Sequence, residues 1–175
     1  GNPYISLLPI HLLWLNLVTD GLPAIALGLD PIDPHAMQRP PRRASESILS
    51  GRFALQLVAM GLVLMLGALV ACHVGLRTSA ALGHTMALTM LVVLEFVRIQ
   101  MIRREYQIGL FSNLWLVGAL ASSFVLQLLV IYVPTLQRIF KTVGLGFVEW
   151  GVIAGVAFAV WLLGLAVQVG LRNKP

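Results

Sequence analysis

Along the chain, apolar residues gather into continuous runs, and five of these are each about the length a helix needs to cross a bilayer. With edges a few residues wide, they cover 5–29, 53–76, 85–102, 114–133 and 148–171. Strands of a lipid-facing barrel would alternate polar and apolar positions, so continuous runs predict helices. The predicted fold class is all-α, an integral membrane bundle of five transmembrane helices. Between the first two runs lies DPIDPHAMQRPPRRASESILSGR, whose prolines, arginines and serines stop a helix and belong in water; it predicts a loop over 30–52. The order shows no internal repeat and no low-complexity stretch.

Composition removes the soluble alternatives. Of 175 residues, 58% are hydrophobic and 11% charged, whereas an ordinary soluble domain carries about 25% charged residues. So few polar groups cannot cover the apolar surface of a chain this size, and lipid must be the solvent for much of it. Five crossings leave no room for a soluble enzymatic domain. The net charge of +5 is unevenly placed: Arg39, Arg42, Arg43 and Arg52 lie in the first connection, Arg103 and Arg104 in the third, Arg172 and Lys174 in the tail. The opposite connections hold Arg77, then Arg138 and Lys141. The positive-inside bias predicts that the first group is cytoplasmic, with the N-terminus of the segment outside and its C-terminus inside. This placement explains the basic balance without a nucleic-acid partner. Cys72 is the lone cysteine, so no internal disulfide is possible. Without an initiator Met or a signal-like start, the sequence is expected to be cut from a longer protein.

Ionisable groups at membrane depth are expensive and normally face a partner or an ion, so they locate the chemistry. Asp20 lies inside the first run and Glu95 inside the third. Asn16, Thr19 and Asp20 stand at i, i+3 and i+4, which in an α-helix places an amide oxygen, a hydroxyl and a carboxylate on one face. Hard cations such as calcium take oxygen ligands of this kind. Gly21 and Pro23 follow, weakening the helical hydrogen bonds beside that face, a device found at mid-membrane ion sites. The competing reading makes Asn16 and Thr19 polar glue between helices, with Asp20 neutral. Glu95 either supplies a second carboxylate or pairs with Arg98, three residues on, which then neutralises it or takes the place of a cation. Glu149, at the start of the last run, reads as a helix-dipole partner and not as a ligand. His11 and His73 lack neighbours suited to a transition metal, and Cys72 reads as a small buried hydrophobe. Gly61, Gly67 and Ala71, and the pair Gly151 and Gly155, predict close helix packing; Trp14, Trp115, Trp150 and Trp161 read as packing or interfacial anchors.

The run LLPIHLLWLNLVTDGLPAIALGLDP resembles the sixth transmembrane helix of P-type cation-transporting ATPases, the sarcoplasmic-reticulum-like calcium pumps in particular. Met37, Arg39, Pro40, Pro41 and Arg42 resemble the loop M-x-R-P-P-R of that family, and TMALT before Glu95 and FSNLW over 111–115 extend the likeness. It covers essentially the whole of 1–175, as the sixth to tenth membrane helices of such a pump. The resemblance implies that Asn16, Thr19 and Asp20 are cation ligands, with Asp20 central, and that Glu95 stands at a ligand position of the eighth helix. It implies a loop that couples phosphate chemistry to the membrane, with Asp33, Arg39, Pro40, Pro41 and Arg42 at its matching positions; His35 and Gln38 stand where relatives often carry acids. Arg39, Arg42 and Arg43 read equally as an orientation signal at lipid headgroups.

No D-K-T-G-T phosphorylation segment, nucleotide-binding domain or T-G-E loop occurs in these residues, so the segment holds no catalytic residue and cannot hydrolyse ATP alone. ATP and magnesium would act only through missing domains of the parent pump, which together with the bilayer are the expected partners. The expected role is the membrane part of an ATP-driven pump for calcium or a similar divalent cation, multi-pass, and in the plasma membrane if the source is prokaryotic. A non-enzymatic truncated paralogue, serving a complete pump as a structural or regulatory partner, is the rival; sodium, protons or manganese are the rival ions.

Overall fold

In the computed structural model, which describes residues 7–29, 51–105, 109 and 112–172, every regular element is a helix. The order is α1 (Pro9–Trp14), a π-helical segment (Leu15–Gly21), α2 (Leu22–Leu27), α3 (Gly51–Leu76), α4 (Ala80–Glu105), α5 (Leu114–Tyr132), α6 (Pro134–Phe140) and α7 (Phe147–Arg172). Among the described residues, five spans are long and apolar enough to cross a membrane, with α1, the π segment and α2 together forming the first. The all-α membrane bundle read from the apolar runs is thus the fold, and the chain is a membrane protein.

Local chemistry sets the helix ends. Asn113 begins α5 as its N-cap, its side chain accepting from the Leu116 amide at 3.0 Å. Pro134 opens α6 after an extended Val133, because proline has no N–H to lose in a first turn and forces its predecessor out of the α region. That short helix closes on Lys141 in the left-handed conformation, with φ 53°. The Glu149 carboxylate accepts from the Gly146 amide at 2.8 Å and sits in the first turn of α7, where the helix dipole favours it.

At the centre stands α4: 56% of its membrane-length window is buried, against 28% or less for the other four spans. Met86, Met90 and Leu94 of α4 pack with Ala71 of α3, Ile131 of α5 and Ile153, Ala157 and Val160 of α7. A smaller cluster joins Ala26, Ile99 and Leu116, tying α2 to α4 and α5. Helices in lipid gain most from close van der Waals packing, and glycines permit it. A Cβ on Gly67 would fall 2.9 Å from Val160 and 3.2 Å from Leu94; one on Gly75 would fall 2.7 Å from the Cα of Gly83. Gly67 and Ala71 therefore do the packing expected of them. Gly61, Gly151 and Gly155 do not: nothing lies within 4 Å of a Cβ built on any of them. The G-x-x-x-G face of α7 thus points away from every helix described in this chain, and spacing alone cannot tell such a face from a packed one.

Candidate functional site

The site begins with the winding of the first crossing. Over Leu15–Gly21 the backbone is π-helical, so each carbonyl looks to the N–H five residues on instead of four. Gly21 stays in the right-handed region, φ −64°, and a Cβ on it would touch only the Asn16 carbonyl oxygen at 3.5 Å. The break is therefore one of hydrogen-bond register and not of chain direction. Pro23, buried in the first turn of α2, has no N–H for the turn before it. Asn16 and Asp20 both lie exposed on this segment. The side chain of Thr19 lies outside the described residues, and the shared face expected for 16, 19 and 20 presupposed α winding that the segment does not have.

Asp20 and Pro23 line a cavity of about 210 Å³ together with Glu95, Arg98, Ile99 and Arg103 of α4. The cavity brings Asp20 and Glu95 to one place, as the two acids at membrane depth suggested, but Asn16 is not in its lining. Arg98 turns toward Glu95 in a fork: Nε donates to Oε2 at 2.9 Å and Nη2 donates to Oε1. The Glu95 side chain is 17% exposed and that of Arg98 42%. Asp20 is near enough for both of their charges to act on it. Of the two readings left open for Glu95, the ion pair is the one the side chains adopt. Arg103, 2% exposed, closes one side of the cavity and donates through Nη2 to Ser112 Oγ at 2.7 Å.

A polar rail on α5 holds the first crossing at three heights. Asn113 Nδ2 donates to the Ala26 carbonyl at 2.7 Å, Ser123 Oγ to the Val18 carbonyl at 2.8 Å, and Trp14 Nε1 donates to Gln127 Oε1 at 3.0 Å. Gln127 passes on through Nε2 to Thr89 Oγ1 at 3.2 Å, which ties the same rail to α4. At the far end, His11 Nε2 donates to the Phe140 carbonyl at 2.6 Å while Nδ1 accepts from the Leu8 amide at 3.2 Å. Both ring nitrogens are engaged, in keeping with the reading of His11 as no metal ligand. Trp14, expected as an anchor, also meets Phe140 edge-on with ring centroids 5.0 Å apart. Ser123 and Gln127 were not singled out from the sequence; Arg103 was read there only as a cytoplasmic charge, and Asn113 only as part of FSNLW. The available signal was the pair Ser123 and Gln127, polar at i and i+4 within an otherwise apolar helix.

Asp33, His35, Gln38, Arg39, Pro40, Pro41, Arg42 and Arg43, where the coupling loop was expected, lie outside the described residues. Among the described residues, no group of three or more His, Cys, Asp or Glu side chains could hold a metal ion. Cys72 is buried and free, as a small hydrophobe should be.

Residues 5–169 match the family described as cation transporting ATPase, C-terminus. The chain is 35% identical over 159 residues to a calcium-transporting ATPase of Bacillus subtilis, covering 87% of this chain and 18% of that protein. A calcium-transporting ATPase of Listeria monocytogenes is 30% identical over 178 residues, 99% of this chain and 20% of its own length. The calcium-transporting ATPase type 2C member 2 of Rattus norvegicus is 32% identical over 161 residues, 88% and 17% respectively. The chain thus spans about a fifth of the length of the curated relatives it matches.

Proposed function

Because the chain belongs to the family of cation-transporting ATPase C-termini, we propose that it is the C-terminal membrane domain of an ATP-driven pump and supplies ligands for calcium or a similar divalent cation. The observation that carries this reading is the cavity in which Asp20, on a π-wound stretch, faces Glu95 of the central helix. A carboxylate at membrane depth costs several kcal/mol if left unused, so it is retained where it meets a cation or a proton. Asn16, Thr19 and Asp20 offer the neutral and charged oxygens a hard cation prefers, but calcium takes six to eight, so the remaining ligands come from other helices of the parent pump. The exposure of Asn16 and Asp20 on this chain supports such a neighbour, since bare amide and carboxylate groups do not rest in lipid.

Glu95 lies beside the ion, and Arg98 supplies the positive charge that a second cation would otherwise bring. The names of the relatives favour calcium over sodium, protons or manganese. In this reading residues 1–175 form one domain, and the loop read over 30–52, whose last two residues Gly51 and Arg52 instead open α3, faces the cytoplasm. There Asp33, Arg39, Pro40, Pro41 and Arg42 meet the phosphorylation domain, and ATP and magnesium act on that domain and not on this one.

The test is Asp20→Asn in the full-length pump. Removing the central charge is expected to abolish cation-dependent phosphorylation from ATP while leaving phosphorylation from inorganic phosphate intact. Normal calcium activation of the variant would overturn the reading.

A further inference from the structure

We propose that Ser123 is a positioning residue for the cation site: its hydroxyl holds the first crossing in the π register that presents Asp20 to the cavity. The inference rests on the function proposed above, and its physical basis is a hydrogen-bond deficit that the sequence builds in. In the π pattern a carbonyl bonds the N–H five residues on. For Val18 that residue is Pro23, which has none. The π pattern therefore runs out of donors at Val18. Ser123 meets that carbonyl from another helix, Oγ donating at 2.8 Å.

Ser123 is fully buried, as is Val18 within a few per cent, so water cannot replace the bond. A carbonyl left bare there would pull the segment back toward an α register, in which the Leu22 amide falls to it. That change removes one residue of slack and rotates Asn16 and Asp20 relative to α4. Trp14–Gln127 above and Ala26–Asn113 below fix the two ends of the same crossing to α5. Of these three bonds to α5 and its cap, the one from Ser123 falls inside the π segment, at the carbonyl the π pattern leaves without a donor, and so bears on the register there. Its neighbour Ser122 is exposed and bonds only its own helix, donating to the Ala119 carbonyl at 2.8 Å.

Thr and Val have the same shape and differ in the hydroxyl, so the full-length pump carrying Ser123→Thr, Ser123→Val, Ser123→Ala and the control Ser122→Ala separates hydroxyl from packing. Two readouts are taken: the calcium concentration for half-maximal phosphorylation from ATP, with phosphorylation from inorganic phosphate as the folding check, and hydrogen–deuterium exchange of the peptide spanning 15–22. Ser123→Ala and Ser123→Val are expected to need at least tenfold more calcium and to exchange at least fivefold faster over 15–22. Ser123→Thr recovers most of both, and Ser122→Ala matches the wild type. Unchanged exchange in Ser123→Ala, unchanged calcium dependence beside faster exchange, or a Thr variant as impaired as the Val variant would each overturn the proposal. If the wild-type pump shows no calcium-dependent phosphorylation, the proposed function fails, and the exchange comparison still decides whether Ser123 holds the register.

Discussion

At the scale of single residues, the pairing of Glu95 with Arg98 decides how much negative charge the cavity beside Asp20 carries. Glu95 is mostly buried and Arg98 is 42% exposed, so the pair lies between a surface bridge, worth under about 1 kcal/mol, and a buried one whose disruption costs about 3–5 kcal/mol. Discounted for that exposure, a double-mutant cycle of Glu95→Gln, Arg98→Gln and the double variant is expected to give a coupling of about 1 kcal/mol. Thermal unfolding in detergent measures it. Strict additivity would mean that the two side chains act independently and that Glu95 is free to serve as a ligand. Asp20 was legible in the sequence because an acid inside an apolar run has few other reasons to be there. The direction of Arg98 was not, because an arginine one turn on can snorkel to the surface or reach back with similar ease. Ser123 was hidden for a different reason: its partner is a backbone carbonyl 105 positions away, and only the folded packing of α5 against the first crossing brings the two together.

At the scale of elements, the apolar runs located the spans because lipid tolerates little else, but small-residue spacing did not say which glycines touch a neighbour. A Cβ on Gly83 would lie 2.7 Å from the side chain of Leu76 and 3.0 Å from its amide nitrogen, at the tight α3–α4 turn. Backbone cannot yield as a flexible side chain does, so Gly83→Ala is expected to destabilise the bundle by about 1–3 kcal/mol. Gly151→Ala adds its methyl to open space and trades a poor helix former for the best one, a gain of up to about 1 kcal/mol. The two variants should therefore move the unfolding temperature in opposite directions. A shared direction would show that the α7 stripe is packed after all, or that the turn is looser than its contacts indicate. Weakened helical bonding near Gly21 and Pro23 was expected from the sequence, but its π form was not, since a single residue of extra winding leaves the apolar pattern nearly unchanged. The short α6 likewise fell inside what read as a plain connection, although Pro134 at its start was a signal.

For the whole molecule, the proposed function requires one particular orientation, because the connection before α3 could meet a phosphorylation domain only on the side where ATP is found. In the proposed function the five crossings place the ends of the segment on opposite faces, and the positive-inside bias of the basic connections is the argument for which face is cytoplasmic. The α3–α4 turn holds Thr78 and Ser79, both exposed, while Gly109 lies exposed at the opposite end of α4. With Cys72 and every cysteine in the rest of the full-length pump replaced by Ala, Ser79→Cys and Gly109→Cys each present a single thiol, one just beyond each end of α4. In intact cells a membrane-impermeant maleimide is expected to label the variant at 79 and to reach the variant at 109 only after permeabilisation. The reverse pattern would turn the Arg-rich loop to the outside and remove it from any cytoplasmic phosphorylation domain. Because the two thiols flank α4, which also carries Glu95 and Arg98, the same labelling fixes which end of that helix faces the cytoplasm.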